Sequence, residues 1–226
     1  MENPGTRERL IATAMQLFWQ KGYGATSVAD ILHAADAKSG SLYHFFPGKQ
    51  DLLLAVLARY REGLRPMLLE PAWAREPDPL ARVFALLARY RASIVQTDCT
   101  YGCPIGALAL ELHEPDPVVR EALAVNFAAW TAAVEECLAG AGDRLPADVN
   151  HRELAQLVLT VMEGGVMQAR THRDVAFFDG SVRQLAAYFA ELTKRARGQR
   201  QTGKSPRRTR GVPHASAPKA RKRIRS

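Results

Sequence analysis

Seven residues in one short stretch could do chemistry together: Lys38, Ser39, Gly40, Ser41, Tyr43, His44 and Lys49. They supply hydroxyls, an imidazole and two ammonium groups, and no carboxylate lies between the two lysines. Such a set offers donors and acceptors to base edges and positive charge to phosphates, and lacks the paired acid and base that bond-breaking needs. Gly40 costs about 1 kcal/mol inside a helix, and on this face its missing side chain would admit close approach of DNA. Lys49 falls in the first turn of a helix, against the positive end of the dipole, where a bound phosphate would make it favourable. Lys38 has the same logic one helix earlier. Thr26 and Ser27 open the preceding helix and could also meet phosphate. Each has a plainer reading as well: Ser27 as a cap, Tyr43 as a core-edge ring, His44 as an ordinary surface residue.

The surrounding pattern supplies helices to hold these groups. Thr6 caps a first helix, Leu10, Ile11, Ala14, Leu17 and Phe18 follow at helical spacing, and Gly22 stops it. Ser27 with Asp30 forms a capping box for a second helix carrying Val28, Ile31, Leu32 and Ala35. A third runs from about Lys38 to Phe46, with Leu42, Phe45 and Phe46 on its inner side. A fourth opens at Gly48-Lys49 and carries Leu52, Leu53, Val56 and Leu57. Two short helices joined by a tight turn have the layout of a helix-turn-helix.

Beyond Gly63, prolines at 66, 71, 77 and 79 predict a linker-like stretch around a short turn at 72–75. Helical patterns return at about 80–97, 104–112, 118–139, 150–172 and 180–197, and no segment alternates with the period of a strand. The expected fold is all-α, with an N-terminal three-helix unit at 1–65, a helical body at 66–197 and a disordered basic tail at 198–226.

Charge is segregated along the chain. Residues 194–226 hold 13 Lys and Arg and no acid, so residues 1–193 carry 18 basic against 23 acidic side chains, net −5. The first 60 residues have 6 basic and 5 acidic groups, so any phosphate affinity there comes from placement and not from bulk charge.

Residues 5–65 resemble the N-terminal domain of the TetR family of bacterial transcriptional regulators. The resemblance is carried by Ser27 to Ile31, the run Gly40-Ser41-Leu42-Tyr43-His44-Phe45-Phe46, and Lys49. It implies that Ser39, Gly40, Ser41, Tyr43 and His44 lie at the major groove and that Thr26, Tyr43 and Lys49 touch phosphates. Asp36 stands where the family's turn usually has Gly, and Lys38 where the third helix often has a capping Ser. Asp tolerates the left-handed backbone a turn needs. The segment Gly102-Cys103-Pro104-Ile105-Gly106-Ala107-Leu108-Ala109-Leu110-Glu111 resembles the LmrA/YxaF-like branch, where it lies between the reader and the pocket.

For the body, the resemblance implies dimerisation and a small-molecule effector that releases a palindromic DNA operator, which makes the chain a repressor. Its partners would be double-stranded DNA, that effector and a second copy of itself. The apolar faces of 150–172 (Leu154, Leu157, Val158, Val161, Met162, Gly165, Val166) and 180–197 (Val182, Leu185, Ala186, Tyr188, Phe189, Leu192) would form the homodimer interface, or else bury within one subunit. Effector-binding expectations fall on Trp73, Phe84, Tyr90, Tyr101, Cys103, Leu108, Phe127, Trp130, Met162 and Met167, all equally compatible with plain core. Arg170 and His172 could meet an acidic ligand.

Other functions are weighed against these. Cys99 and Cys103 could sense oxidants, and with His113 they offer three zinc ligands where a structural site wants four. No Gly-rich phosphate loop, zinc-protease signature or nucleophile elbow is present, so no catalytic residue, metal or cofactor is expected. The N-terminal residues carry no signal pattern and no apolar run suggests a membrane span, which predicts a cytoplasmic protein.

Overall fold

The computed structural model describes residues 5–112 and 114–201. Helices α1 (Thr6–Lys21), α2 (Val28–Ala34) and α3 (Ser39–Phe45) form the N-terminal unit, with α4 (Lys49–Gly63) leading out of it. Gly5, and not Thr6, occupies the N-cap of α1, without a side-chain bond. Gly22 ends α1 at φ +88°, a conformation that favours glycine. Ser27 caps α2 in the expected reciprocal box with Asp30. Asp36 holds the turn at φ +47°, so Asp does take up the left-handed backbone there. The core of this unit includes Leu10, Ile11, Phe18, Ile31, Leu42, Leu52, Leu53 and Leu57. Phe46 packs against it, whereas Phe45, expected inside, is 38% exposed.

Of the linker expected after Gly63, residues 64–73 are helical instead, and only 74–78 form a turn and connection. A π-helical segment at Leu64–Leu69 continues α4 directly into α5 (Glu70–Trp73). Pro66 lacks an N–H and crowds the preceding turn, and the wider π turn accommodates it without ending the helix. Then follow α6 (Pro79–Gln96), α7 (Pro104–Glu111), α8 (Pro117–Gly140), α9 (His151–His172) and α10 (Ala176–Gln201). Asp78, Asp116 and Asn150 cap α6, α8 and α9 by accepting from first-turn N–H groups. Among the described residues there is no strand.

A second core joins α6, α8, α9 and α10 through residues such as Leu86, Trp130, Val134, Val158, Met162, Phe178 and Leu185. Ile105 and Leu108 of α7, and Val119 and Leu123 of α8, belong to the first core, so the body packs directly on the N-terminal unit. By length and composition α8 could cross a membrane, but Val119 and Leu123 are buried in the first core and Trp130, Val134 and Leu138 in the second, so it is a core helix. The expected tail boundary moves: α10 continues through Gly198 to Gln201, and the rest of the tail lies outside the described residues.

Candidate nucleic-acid interface and its link to an internal cavity

The short helix α3 presents Ser39, Gly40, Tyr43 and His44 to the exterior, with Lys38 at its N-cap also exposed and Ser41 half-buried. Leu42, wholly buried, anchors the opposite face. Tyr43 is 56% exposed and so is not a core-edge ring. A Cβ built on Gly40 would meet nothing within 4 Å, so no internal contact requires glycine there. The result is a face of small and hydrogen-bonding groups free of acids.

Two of the flanking expectations change. Thr26 is fully buried, its hydroxyl donates to the carbonyl of Gly22 at 2.7 Å, and its N–H donates to Tyr23. It staples the turn between α1 and α2 and has no free donor for a phosphate. Ser27 spends its hydroxyl on the box with Asp30, whose carboxyl is held below its usual range by the Ser27 side-chain and backbone bonds. Lys49 does open α4, but its Nζ folds back to donate to the Tyr23 carbonyl at 2.5 Å and lies 4.1 Å from the centre of the Tyr23 ring. Burial lowers its pKa, with Glu111 and Asp30 partly offsetting the effect.

A cavity of about 390 Å³ lies in the body. Tyr60 of α4, Tyr90 of α6, Tyr101, Cys103, Phe127 and Trp130 of α8, and Met162 and Glu163 of α9 line it. The Trp130 indole donates to the Tyr90 hydroxyl at 3.1 Å. Burial pushes the Tyr60, Tyr90 and Cys103 protons to higher pKa, with the Glu163 charge adding to the effect on Cys103. Glu163 is itself raised by burial, and the Cys103 thiol, which donates to it, opposes that rise.

Residues 101–111 tie this cavity to the N-terminal unit. At one end the Trp19 indole donates to the Gly102 carbonyl at 2.8 Å and its ring lies 4.7 Å from that of Tyr101. At the other, the Glu111 carboxylate accepts from the N–H groups of Tyr23 at 2.9 Å and Gly24 at 2.5 Å. Between them, the two glycines of the segment fit against one face of α9. A Cβ on Gly102 would stand 2.5 Å from Val166, and one on Gly106 only 2.1 Å from the Glu163 carboxylate. A third tie is Asn126 of α8, which donates to the Leu57 carbonyl of α4 at 3.1 Å.

Comparison with known proteins fits this arrangement. The pattern of bacterial regulatory proteins of the tetR family matches residues 10–56, and that of the LmrA/YxaF-like transcriptional regulator C-terminal domain matches 79–184. An uncharacterized HTH-type transcriptional regulator of Mycobacterium tuberculosis is 34% identical over 201 residues, covering 85% of this chain and 99% of that one. This chain belongs to the TetR family of bacterial transcriptional regulators. The uncharacterized HTH-type transcriptional regulator YxaF of Bacillus subtilis is 29% identical over 170 residues, 75% of this chain and 87% of that protein. A TetR transcriptional regulator from Chloroflexus aurantiacus superposes with a TM-score of 0.73 at 27% identity, covering 83% of this chain and 95% of that one.

As a TetR-family member the chain is a DNA-binding regulator and not an enzyme. Of the expected effector residues, Tyr90, Tyr101, Cys103, Phe127, Trp130 and Met162 meet at the cavity. Four do not. Trp73 donates to the Arg82 carbonyl in the outer body, and Phe84 packs edge-on against Phe189. Leu108 is in the core shared with α1–α4, and Met167 is 46% exposed on α9. Arg170 donates to the Thr100 carbonyl and His172 stacks on Phe177.

Sequence reasoning missed Glu163, Tyr60, Asn126 and the grip of Trp19. Glu163 carried a signal: it is the one acid in the apolar run from Leu154 to Val166. Cys99, Cys103 and Cys137 are free and buried, and Cys99 and Cys103 belong to different cores. The raised Cys103 pKa keeps the thiol protonated, and nothing in the TetR comparisons supports thiol sensing. His113 lies outside the described residues.

In the expected dimer helices most apolar residues turn inward: Leu154, Val158, Met162, Val166, Leu185, Phe189 and Leu192 are buried within the subunit. Leu157, Met167 and Tyr188 remain exposed along a shallow groove between α9 and α10 that also runs past Gly164.

Proposed function

We propose that this regulator is a repressor that binds a palindromic operator as a homodimer and lets go when a small effector enters the cavity. Ser39, Gly40, Ser41, Tyr43 and His44 face the major groove, and Lys38 and Lys49 take phosphates. For Lys49 this requires exchanging Tyr23 for a phosphate, which its partly desolvated ammonium favours.

The observation that carries the reading is the double attachment of residues 101–111. Tyr101 and Cys103 line the cavity, while Gly102 and Glu111 hold α1 and the turn that leads into α2. The α4 helix adds a second route, since Tyr60 lines the cavity and Lys49 opens the same helix. An occupant that displaces either wall moves the reader. To release DNA it must bind more tightly to the DNA-incompetent state than to the competent one.

The outer groove at Leu157, Gly164, Met167 and Tyr188 serves as the homodimer contact, with close helix approach at Gly164. A two-fold dimer sets two readers about 34 Å apart, one turn of DNA, or a multiple of that. Work on DNA places the protein in the cytoplasm. Selection of binding sites from a random duplex library, with light scattering on the same sample, tests the reading. The expected result is a dimer and a two-fold symmetric motif. A monomer that selects a single asymmetric site contradicts it.

A further inference from the structure

The cavity is apolar and aromatic with one unsatisfied group inside it. Tyr60, Tyr90, Tyr101, Phe127 and Trp130 supply the rings. Oε1 of Glu163 is buried and has no hydrogen-bond partner, while the carboxylate accepts from the Cys103 thiol and faces the Tyr90 hydroxyl without a counter-ion. Gly106 leaves the space that the carboxylate fills, so a larger residue at that position would push it aside. Two arginines also line the cavity. Arg59 is paired with Glu8, and Arg89 is exposed. Neither donates to Oε1 of Glu163, which has no hydrogen-bond partner. Arg170 and Arg173, at an outer hollow that shares Glu163 with the cavity, both donate to Thr100.

We propose that the cavity takes a compact apolar amine whose ammonium head is received by Glu163 and whose body lies against the aromatic walls. This rests on the effector reading above and names its chemical class. A buried carboxylate without a counter-ion is costly, and an ammonium relieves that cost directly. The ring faces add attraction for the same charge. An anion would meet Glu163 head-on. A neutral molecule leaves the carboxylate without a counter-ion. Glu163 lines both the cavity and the outer hollow between α7 and α9, so its carboxylate is reachable from either.

The test uses three probes on one frame: para-tert-butylbenzylamine, the corresponding benzyl alcohol and the corresponding benzoate. Affinity for the full chain is read by tryptophan fluorescence, because Trp130 lies in the wall, and checked by calorimetry for one site per protomer. The amine should bind about tenfold tighter than the alcohol, with the benzoate weakest. Glu163→Gln should bring the amine down to the alcohol and leave the alcohol unchanged. Glu163→Asp, which keeps the charge on a shorter arm, should keep part of the preference. A tighter benzoate, an amine preference that survives Glu163→Gln, or no binding of any probe at millimolar concentration overturns the proposal. Anisotropy of a labelled selected duplex, read in parallel, separates the two claims. Glu163-dependent amine binding that leaves the protein on DNA upholds the cation site and removes effector release by this class.

Discussion

Gly40 and Glu163 are each in a state that the free protein does not need. Nothing inside the molecule occupies the space a Cβ would take at Gly40. Gly40→Ala should therefore stabilise the free protein by about 0.5–1 kcal/mol through helix propensity, and yet weaken binding to a selected duplex. Thermal melting and anisotropy check the two halves, and unchanged binding would move Gly40 off the DNA face. Glu163 carries a cost of the opposite kind. Its folded pKa is raised by burial, so the folded state holds the proton more tightly than the unfolded one. The sign follows: stability falls as pH rises from the ordinary carboxylate range through the raised value. Cys103 and Tyr90, which face it, are pushed upward and do not titrate in that window. Glu163→Gln should raise Tm at neutral pH, by the equivalent of about 1 kcal/mol, and the gain should vanish on acidification below the usual carboxylate range. A gain that is independent of pH would contradict it.

At the scale of elements, the 101–111 segment is best understood as a strap with two buckles. Glu111→Ala leaves the Tyr23 and Gly24 amides without their acceptor, at a cost of about 1 kcal/mol for exposed charge-assisted bonds. Hydrogen exchange at these two amides should accelerate, while amides in the middle of α8 stay protected. Equal protection in the variant would show that the strap does not hold the reader. Most helices were legible because caps and periodicity agree: Ser27 with Asp30, Asp36 at the turn, Pro104 and Pro117 in first turns. The π segment was hidden, because Pro66 signals a break unless the neighbouring chain widens to hold it. The cavity was only half legible. Met162 and Met167 share one helix but lie about 140° apart on it, and only the packing of α8 and α10 decides which turns inward. Thr26 was misplaced because a hydroxyl that serves a turn and one that serves a phosphate look alike in sequence.

At the scale of the whole molecule, basic charge is concentrated at the end of the chain far from the N-terminal face. The first 60 residues carry 6 basic and 5 acidic groups, whereas residues 194–226 carry 13 Lys and Arg and no acid. Under the proposed function the N-terminal face works by placed groups, and the C-terminal charge is proposed to add attraction by counterion release. The most direct test is the affinity ratio between a selected and a scrambled duplex, followed across salt for the wild type, Tyr43→Ala and a chain lacking residues 202–226. The truncated chain should bind both duplexes more weakly in parallel, with a flatter salt slope and an unchanged ratio. Tyr43→Ala should lose about tenfold on the selected duplex with melting unchanged, and the ratio should collapse. A ratio that survives Tyr43→Ala, or that disappears on removing 202–226, would contradict the account.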